Sequence, residues 1–307
     1  MLKKFIVDKD YHNSRFDKWF KQNVFNIPQS LIEKIIRKNK VKVNKKKTKT
    51  SYRVQFHDII EIYGINKIKS NDKSKKIKYK PSEKEKSKYD NFILENNNNF
   101  IIINKPTGIP VQGGTKSFKN IIDILKNTKY FKDVKPFIVH RLDKETSGII
   151  IFAKTETAKE FLQQQFSERK VKRYYTAIVE GEPEDEGTAT SWLIEDSNLR
   201  VWVVDEQATG ARKAITHWAI LEKYGMTSKI ELEIETGRRH QIRVQMAETG
   251  HPVVGDFRHG STIQTNRLLL HATTLKFTHP DGHLLTLHST LPHEFEKQHF
   301  LMTEDMD

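Results

Sequence analysis

The hydrophobic positions of residues 13–66 predict a small unit of two helices and two strand regions. Apolar residues recur at helical spacing in NSRFDKWFKQNV, behind an Asn13/Ser14 cap, and again in IPQSLIEKIIRKNK, which begins near Pro28. A short alternating stretch, VKVN, follows and predicts a strand. A basic loop, KKKTKT, then leads into a second strand region over residues 51–63.

From Phe100 onward the pattern is dominated by strands. Helical stretches intervene at residues 117–127, 156–170 and 240–249, but most strands follow one another directly. This order predicts an α+β fold with a mixed, mainly antiparallel central sheet, joined to the small helical and strand domain, rather than a doubly wound fold. The runs of strand length are FIIINK, FIVHR, GIIIFAKT, YYTAIVEG, THWAILEKY, KIELEIET, LLLHATTLKF and LLTLHSTL.

The segment between these two parts, residues 67–90, is rich in lysine and poor in apolar residues. Such a composition buries too little surface to fold by itself and is typical of a flexible tether. We therefore predict a small domain over residues 1–66, a basic linker over 67–90 and a larger domain over 91–307. Two domains agree with a length of 307 residues.

The net charge of +14 is unevenly distributed along the chain. Residues 1–90 hold 26 lysines and arginines against 10 acidic residues, whereas the remainder holds 27 against 29. A basic segment attached to a nearly neutral body indicates an appendage that binds a polyanion. We favour nucleic-acid binding over the alternative that the lysines reflect mutational bias alone.

Several absences bound the chemistry and the compartment. The chain has no cysteine, which excludes disulfides and thiolate metal sites and favours a reducing compartment. It has no HExxH pattern, P-loop or dinucleotide fingerprint, so we expect no metal site and no cofactor. Because neither a secretory signal nor an apolar run of membrane-spanning length is present, we expect a soluble, cytoplasmic monomer without a membrane partner.

The segment VHRLDKETSG, residues 139–148, concentrates charge between two apolar strands. Asp143 lies in it between Arg141 and Lys144. Loops held by rigid strands commonly display reactive side chains, and a carboxylate serves as nucleophile, base or metal ligand. An aspartate that merely forms the turn is the simpler interpretation, and composition alone favours it.

A second charged stretch, residues 235–256, contains a cationic cluster. Arg238, Arg239, His240 and Arg243 fall within six residues at the predicted start of a helix. Cations at this end are unfavourable for the helix dipole, so the cluster needs an external partner. A buried carboxylate or a phosphate would satisfy it.

The unit at residues 13–66 resembles the S4 RNA-binding domain. The resemblance rests on Arg15, Asp17 and Lys18, on the VKVN strand with its lysines, and on the segment DII at 58–60. In that family the second helix and the following strand carry the basic face that lies on RNA. The alternative is that these lysines only solubilise a small domain. The resemblance implies phosphate contacts by Arg37, Lys38, Lys40, Lys42, Lys45, Lys46 and Lys47.

The chain from Asn104 to Pro292 resembles the RluA-type RNA pseudouridine synthases, most nearly the RluC branch, which modifies large-subunit ribosomal RNA. A lone HRLD motif would be weak evidence for the family, whereas four motifs in family order behind an S4-like unit form a specific pattern. Departures from the family pattern are Gln112, Arg239 and Gln245. The motifs are NKPTG at 104–108 with Gly113-Gly114, HRLD at 140–143 with TSG at 146–148 and AK at 153–154, YTA at 175–177 with Gly181, and TGRRHQIRV at 236–244.

The resemblance implies an isomerisation in which the uracil–ribose bond is cleaved, the base rotates, and a carbon of the base rejoins the sugar. Asp143 would be the nucleophile, on either the base or the sugar, and Arg243 would stabilise its ionised form. Tyr175 would stack on the uracil and is a candidate for moving the C5 proton. Arg141 would fill the space left by the flipped nucleoside. We expect other motif residues to be structural, namely Lys105, His240, Gln241 and His271.

Two alternative functions remain at this point. The same scaffold acts on transfer RNA in one, and in the other the protein is an RNA-binding ribosome-assembly factor without turnover. The intact Asp143, Tyr175 and Arg243 argue against the second alternative. The S4-like unit favours ribosomal over transfer RNA, and the sequence predicts no particular target uridine.

Overall fold

The computed structural model describes residues 2–25, 27–64, 89–113, 119–131, 136–196 and 199–296, together with Ser82 and Glu85. The chain divides into two compact units, Met1–Ile77 and Lys78–Asp307. Most of the predicted linker, residues 67–90, lies outside the described residues, so the linker and the domain boundaries stay predictions. Within the described ranges no helix is long and apolar enough to cross a membrane.

The first unit combines two helices with a four-stranded antiparallel sheet. Phe16, Trp19 and Phe20 are fully buried on one face of the first helix, as their spacing predicts. The predicted Asn13/Ser14 cap is wrong, because Asn13 lies in the preceding turn with a φ of 62° and the helix begins after Arg15. The elements are β1 (Leu2–Ile6), α1 (Phe16–Asn23), α2 (Gln29–Arg37), β2 (Val41–Val43), β3 (Lys46–Lys47) and β4 (Ile59–Tyr63), in the sheet order β1-β4-β2-β3.

The predicted basic loop after β2 is in part a hairpin. Asn44 and Lys45 have φ values of 49° and 65°, the left-handed conformation that a two-residue hairpin turn favours. The Asn44 side chain fixes the turn, because its Nδ2 donates to Asp58 at 2.7 Å and its Oδ1 accepts from Ile59 N–H at 2.8 Å. This turn folds β3 back on β2.

The second unit is built on one sheet of eleven strands. The strands are β5 (Ile93–Asn96), β6 (Phe100–Lys105), β7 (Phe137–Ile138), β8 (Ser147–Ala153), β9 (Lys172–Glu180), β10 (Glu186–Glu195), β11 (Val201–Val204), β12 (Arg212–Lys223), β13 (Thr227–Ile234), β14 (Leu270–Thr278) and β15 (Leu284–His288). Their order is β11-β10-β12-β13-β9-β14-β8-β6-β5, with β15 beside β14 and β7 beside β8. Among the described strands only β8 and β14 pair in parallel, which confirms the mixed, mainly antiparallel sheet.

Three α-helices that lie wholly within the described residues accompany this sheet, at the positions that the helical stretches predict but with shorter bounds. They are α3 (Ile121–Lys126), α4 (Glu156–Ser167) and α5 (Gln241–Glu248). Strands β5, β10 and β11 were not predicted. In β10 exposed residues alternate with half-buried ones, so the strand contains no apolar run of the kind that marks a buried strand.

The parallel pair β8–β14 fixes one end of the loop that contains Asp143. Gly148 has a φ of 108° and packs so closely that a Cβ here would overlap the backbone of Ala272. Beside it, the hydroxyl of Ser147 and Nδ1 of His271 form a buried hydrogen bond of 2.7 Å across the pair. The C-terminal end of the loop is therefore anchored at a rigid part of the sheet.

Candidate active site

Asp143 lies in the loop between β7 and β8, and its side chain is 15% exposed. Its Oδ2 is 3.6 Å from Nη1 of Arg243 and 3.9 Å from Nε2 of His240. Both distances are too long for hydrogen bonds, so these neighbours stabilise the carboxylate through charge and polarity. Within the described residues no group donates a hydrogen bond to this carboxylate, so its lone pairs are available to a substrate.

Arg243, on α5, is held by a second carboxylate that sequence reasoning missed. Its Nε and Nη2 donate to the two oxygens of Asp256 at 2.6 and 2.7 Å, and both side chains are buried. Burial lowers the pKa of Arg243, but the hydrogen bonds and charge of Asp256 outweigh it and raise that pKa overall. The remaining nitrogen, Nη1, is buried without a hydrogen bond and faces Asp143 and, also at 3.6 Å, Glu145.

Tyr175, on β9, lines the same cavity as Asp143 and Arg243, with a volume of about 440 Å³. Its ring is buried, and this burial raises its pKa, with Arg173 opposing and Asp143 adding to the shift. A phenol with a raised pKa stays protonated near neutral pH and is a poor base. The structure therefore brings the three predicted catalytic residues to one cavity and favours stacking as the contribution of Tyr175.

Arg141 lies at the mouth of this cavity and is exposed. Its guanidinium makes no hydrogen bond or ion pair with any residue that the structure describes. Arg141 is therefore not a local partner of Asp143 or Glu145 in this structure. Its guanidinium is available to a ligand of the cavity.

The NKPTG segment fastens the loop that contains Asp143. Lys105 is buried, and its Nζ donates to three backbone carbonyls, including that of Lys144 at 3.1 Å. The N–H of Gly108 donates to the same Lys144 oxygen at 2.9 Å. Burial lowers the pKa of Lys105 to about 7, although Glu145 and Asp143 act in the opposite direction. This geometry agrees with the expected structural role.

His240 precedes α5 with a left-handed backbone, φ 50°, and is buried. Burial, together with the charge of Arg243, lowers its pKa to about 3, so the imidazole is neutral. Its Nδ1 is 3.1 Å from Nε2 of His259, a residue that sequence reasoning did not single out. A neutral, anchored ring near Asp143 fits an orienting group rather than a reactant.

The three departures from the family pattern have different surroundings. Gln245 is buried, and its amide bonds to Thr216 and to carbonyls of Ala189 and Ala214, so it ties α5 to the sheet. Arg239 donates to Glu195 at 2.9 Å, and Gln112 is exposed. None of these changes affects the position of Asp143 directly.

The seven cations predicted to contact RNA lie on adjacent elements of the first unit. They continue from the end of α2 through β2 into the β2–β3 hairpin. None of them forms an ion pair within the part of the chain that the structure describes. Those fully exposed are Arg37, Lys38, Lys45, Lys46 and Lys47, whereas Lys40 and Lys42 are partly buried.

One cluster that the sequence analysis did not recognise places three potential metal ligands together. His279, Asp281 and His283, on the β14–β15 turn, have ligand atoms within 4.8 Å of one another. Nε2 of His279 faces the side-chain amide of Asn97 at 3.4 Å, and its Nδ1 accepts from the backbone N–H of Asp281 at 3.1 Å. Both nitrogens thus have protein partners, and the cluster does not line the Asp143 cavity.

Comparisons with known proteins agree with this geometry. The RNA pseudouridylate synthase family matches residues 99–248, and the S4 domain matches residues 14–60. Ribosomal large subunit pseudouridine synthase C of Buchnera aphidicola subsp. Schizaphis graminum is 32% identical over 293 residues, covering 90% of this chain and 89% of that protein. The protein of the same name from Vibrio cholerae is 30% identical and covers 95% of this chain and 94% of its own length.

Solved structures share the fold. Human RNA pseudouridylate synthase domain containing 4 matches with a TM-score of 0.60 at 24% identity, covering 70% of this chain and 95% of the other. Human RNA pseudouridylate synthase domain containing 1 matches with a TM-score of 0.55 at 24% identity, covering 67% and 84%. The predicted resemblance and fold class are confirmed, and the chain belongs to the RNA pseudouridylate synthase family.

Proposed function

We propose that this protein is an RNA pseudouridine synthase that isomerises specific uridines of 23S ribosomal RNA, with Asp143 as its nucleophile. The observation that carries the proposal is the convergence of Asp143, Tyr175 and Arg243 on one cavity of about 440 Å³. The names of the relatives, which cover about nine-tenths of the chain, support the large-subunit substrate.

The reaction rearranges one nucleoside and needs neither an oxidant nor an energy source. The N1–C1′ bond breaks, the uracil turns, C5 bonds to C1′, and the C5 proton leaves to solvent while N1 gains one. Asp143 attacks the base or the sugar, and the Nη1 of Arg243 stabilises the carboxylate whenever it carries charge. Tyr175 presents its ring to the uracil and holds it in register during the turn.

The target nucleoside must leave its helix to reach Asp143. Arg141 is exposed beside the nucleophile and has no partner among the described residues, so it can occupy the vacated position and donate to the bases that remain. This role would make Arg141 important for reaching the flipped state rather than for the chemical step.

The basic face of the first unit provides affinity that does not depend on sequence. Its seven cations, at the end of α2 and on the β2–β3 hairpin, would contact phosphates, while the second unit selects the folded site. We further propose that the enzyme acts as a monomer in the cytoplasm, where its ribosomal substrate is assembled.

The experiment that tests the proposal measures tritium release from 23S RNA transcribed with C5-tritiated uridine. We expect release by the wild type and a loss of at least roughly 1000-fold in Asp143→Asn, because amide replaces the nucleophile while the shape is kept. The matched control is Asp205→Asn, an exposed aspartate in the turn after β11.

Three outcomes would count against parts of the proposal. RNA binding without release would favour the non-catalytic assembly factor. Release from transfer RNA but not from 23S RNA would favour the other substrate. Equal release by wild type and Asp143→Asn would exclude Asp143 as the nucleophile.

A further inference from the structure

A second cavity adjoins the one that contains Asp143. It has a volume of about 560 Å³ and is lined by the end of β10, the starts of β11 and β12, and the turn at residues 237–239. The two cavities share Arg141 and the whole of this turn, so they form neighbouring parts of one depression. The arginines that line the second cavity are Arg141, Arg212, Arg238 and Arg239.

These arginines have few protein partners within the described residues. Among the described residues the guanidinium groups of Arg141 and Arg212 make no hydrogen bond or ion pair, and that of Arg238 donates only through Nε, to the backbone carbonyl of Lys213 at 3.0 Å. Arg239 pairs with Glu195 at 2.9 Å, but its Nε is buried without a partner. Several guanidinium donors therefore remain available around one space.

Crowded like charges oppose folding unless a partner compensates them. Burial lowers the pKa of Arg238, and the nearby charges of Arg212 and Arg169 lower it further. The cavity also contains two carboxylates, but Glu195 is engaged with Arg239, and Asp196 accepts the backbone N–H of Arg200 at 2.9 Å. The described part of the chain therefore supplies no anion for the guanidinium groups of Arg212 and Arg238.

We propose that this cavity binds a backbone phosphate of the RNA strand adjoining the target uridine, with Arg212 and Arg238 as its ligands. The assignment rests on the proposed function and extends it, since it adds an RNA contact beside Asp143 to the lysines of the first unit. Guanidinium groups bind phosphate oxygens through two parallel hydrogen bonds, which fixes position as well as charge. A phosphate held here would hold the strand as the uridine enters the neighbouring cavity.

The first experiment compares Arg212→Gln with Lys213→Gln in the full-length protein. The two residues are consecutive on β12 and point to opposite faces of the sheet; Lys213 lies over the ring of Trp192 and does not line the cavity. We expect Arg212→Gln to weaken binding of a 23S RNA fragment about tenfold and to reduce the salt slope by roughly one counterion. Lys213→Gln should match the wild type in both measurements.

The second experiment identifies the phosphate. Single neutral methylphosphonate linkages are placed on either side of the target uridine, and binding is measured with wild type and Arg212→Gln. One linkage should weaken binding to wild type about tenfold and have little further effect on the variant, because both changes remove the same contact.

The outcomes separate this proposal from the proposed function. Wild-type tritium release establishes that the fragment is a substrate, and absence of release would contradict the activity itself. If release is normal but Arg212→Gln and Lys213→Gln bind alike, or if no linkage loses its effect in the variant, the phosphate site is overturned.

Discussion

At the residue scale, the guanidinium of Arg243 interacts with two carboxylates, Asp256 and Asp143, in different ways. Asp256 takes Nε and Nη2 in a buried, bidentate pair, and only Nη1 is left toward Asp143. Without Asp256 the planar group could turn and form its own bidentate pair with Asp143, which would occupy both oxygens of the proposed nucleophile. Asp256 therefore limits how strongly Arg243 binds Asp143.

This arrangement predicts the behaviour of Asp256→Asn. Asparagine keeps the size but loses the charge and one acceptor, so we expect kcat to fall roughly 10- to 100-fold while the Kd for RNA stays unchanged. Single-turnover tritium release and filter binding measure the two quantities. Glu180→Gln is a suitable control, since Glu180 also accepts several hydrogen bonds, from Ser261, Thr262 and Ile263, outside the cavity. Equal kcat values for the two variants would contradict the positioning role.

Residues inside the sequence motifs could be predicted, whereas Asp256, which lies outside them, could not. Asp143, Tyr175 and Arg243 were predicted because they stand in motifs whose order and spacing are specific. Asp256 follows the apolar segment HPVV and resembles any turn aspartate in the sequence. A signal did exist, because a buried arginine at the start of a helix needs a carboxylate, but the sequence does not indicate which one.

At the element scale, the parallel contact between β8 and β14 places the Asp143 loop. These strands meet over only two residue pairs, and Gly148 lies against the backbone of Ala272. A side chain on Gly148 would push the strands apart and shift the loop that ends immediately before β8. The glycine is thus required by the approach of the two backbones.

We therefore expect Gly148→Ala to destabilise the second unit by roughly 3 kcal/mol or more. Gly282→Ala is the matched control, because Gly282 has a similar φ of 94° but no atom within 4 Å of the added Cβ. Gly282→Ala should lower the free energy of unfolding only by the strain of its left-handed backbone, about 1–2 kcal/mol. Urea unfolding followed by circular dichroism measures both. If the two variants have the same midpoint, backbone overlap is not the reason for glycine at 148.

Elements were predicted from the sequence to the extent that they contain an apolar run. The strands β6, β8 and β9 contain such runs, and most of their residues are buried. Strands β10 and β11 lie near the sheet edge, where exposed positions interrupt the pattern. Residues of both strands line the proposed phosphate cavity, and Arg212 lies at the start of β12, ahead of the run THWAILEKY that predicted this strand, so Arg212 was not singled out.

At the scale of the whole molecule, buried histidines make the stability of the second unit depend on pH. His271 is fully buried between Ser147 and Ser289, and burial, with the charge of Arg267, lowers its pKa to about 4. Burial likewise lowers the pKa of His140 and of His240 to about 3. Each remains neutral in the folded state where an unfolded histidine is already protonated.

The sign of the effect follows from linkage. Each of these histidines takes up a proton near the ordinary pKa of about 6.5 in the unfolded chain but stays neutral in the folded one. The stabilisation is therefore complete above this pH and falls as the pH drops toward 4. For His271 the full loss is about 3 kcal/mol. We expect His271→Asn to flatten the dependence of the unfolding free energy on pH between 7 and 4.5. His288→Asn, on the exposed β15, should leave the slope unchanged, and equal slopes in all three proteins would contradict the assignment.

In the proposed function the first unit contributes RNA affinity and the second unit contributes the catalytic cavity. The first concentrates unpaired cations on the end of α2 and the β2–β3 hairpin, and the second contains the cavity with the nucleophile. Affinity from the first unit would fall with salt, since it comes from phosphate contacts, whereas the chemistry at Asp143 is enclosed and screened less.

The sequence by itself determined the fold class and the family, and it indicated Asp143 as the proposed nucleophile, because these depend on apolar periodicity and on the order of motifs along the chain. Only the tertiary structure decided which charged side chains lie next to one another. Asp256 and Arg243 are 13 positions apart in the sequence yet form a buried ion pair, and Arg212 and Arg141, which are farther apart still, line one cavity. The energy of a buried charge depends on what surrounds it in space, and no local pattern records those neighbours.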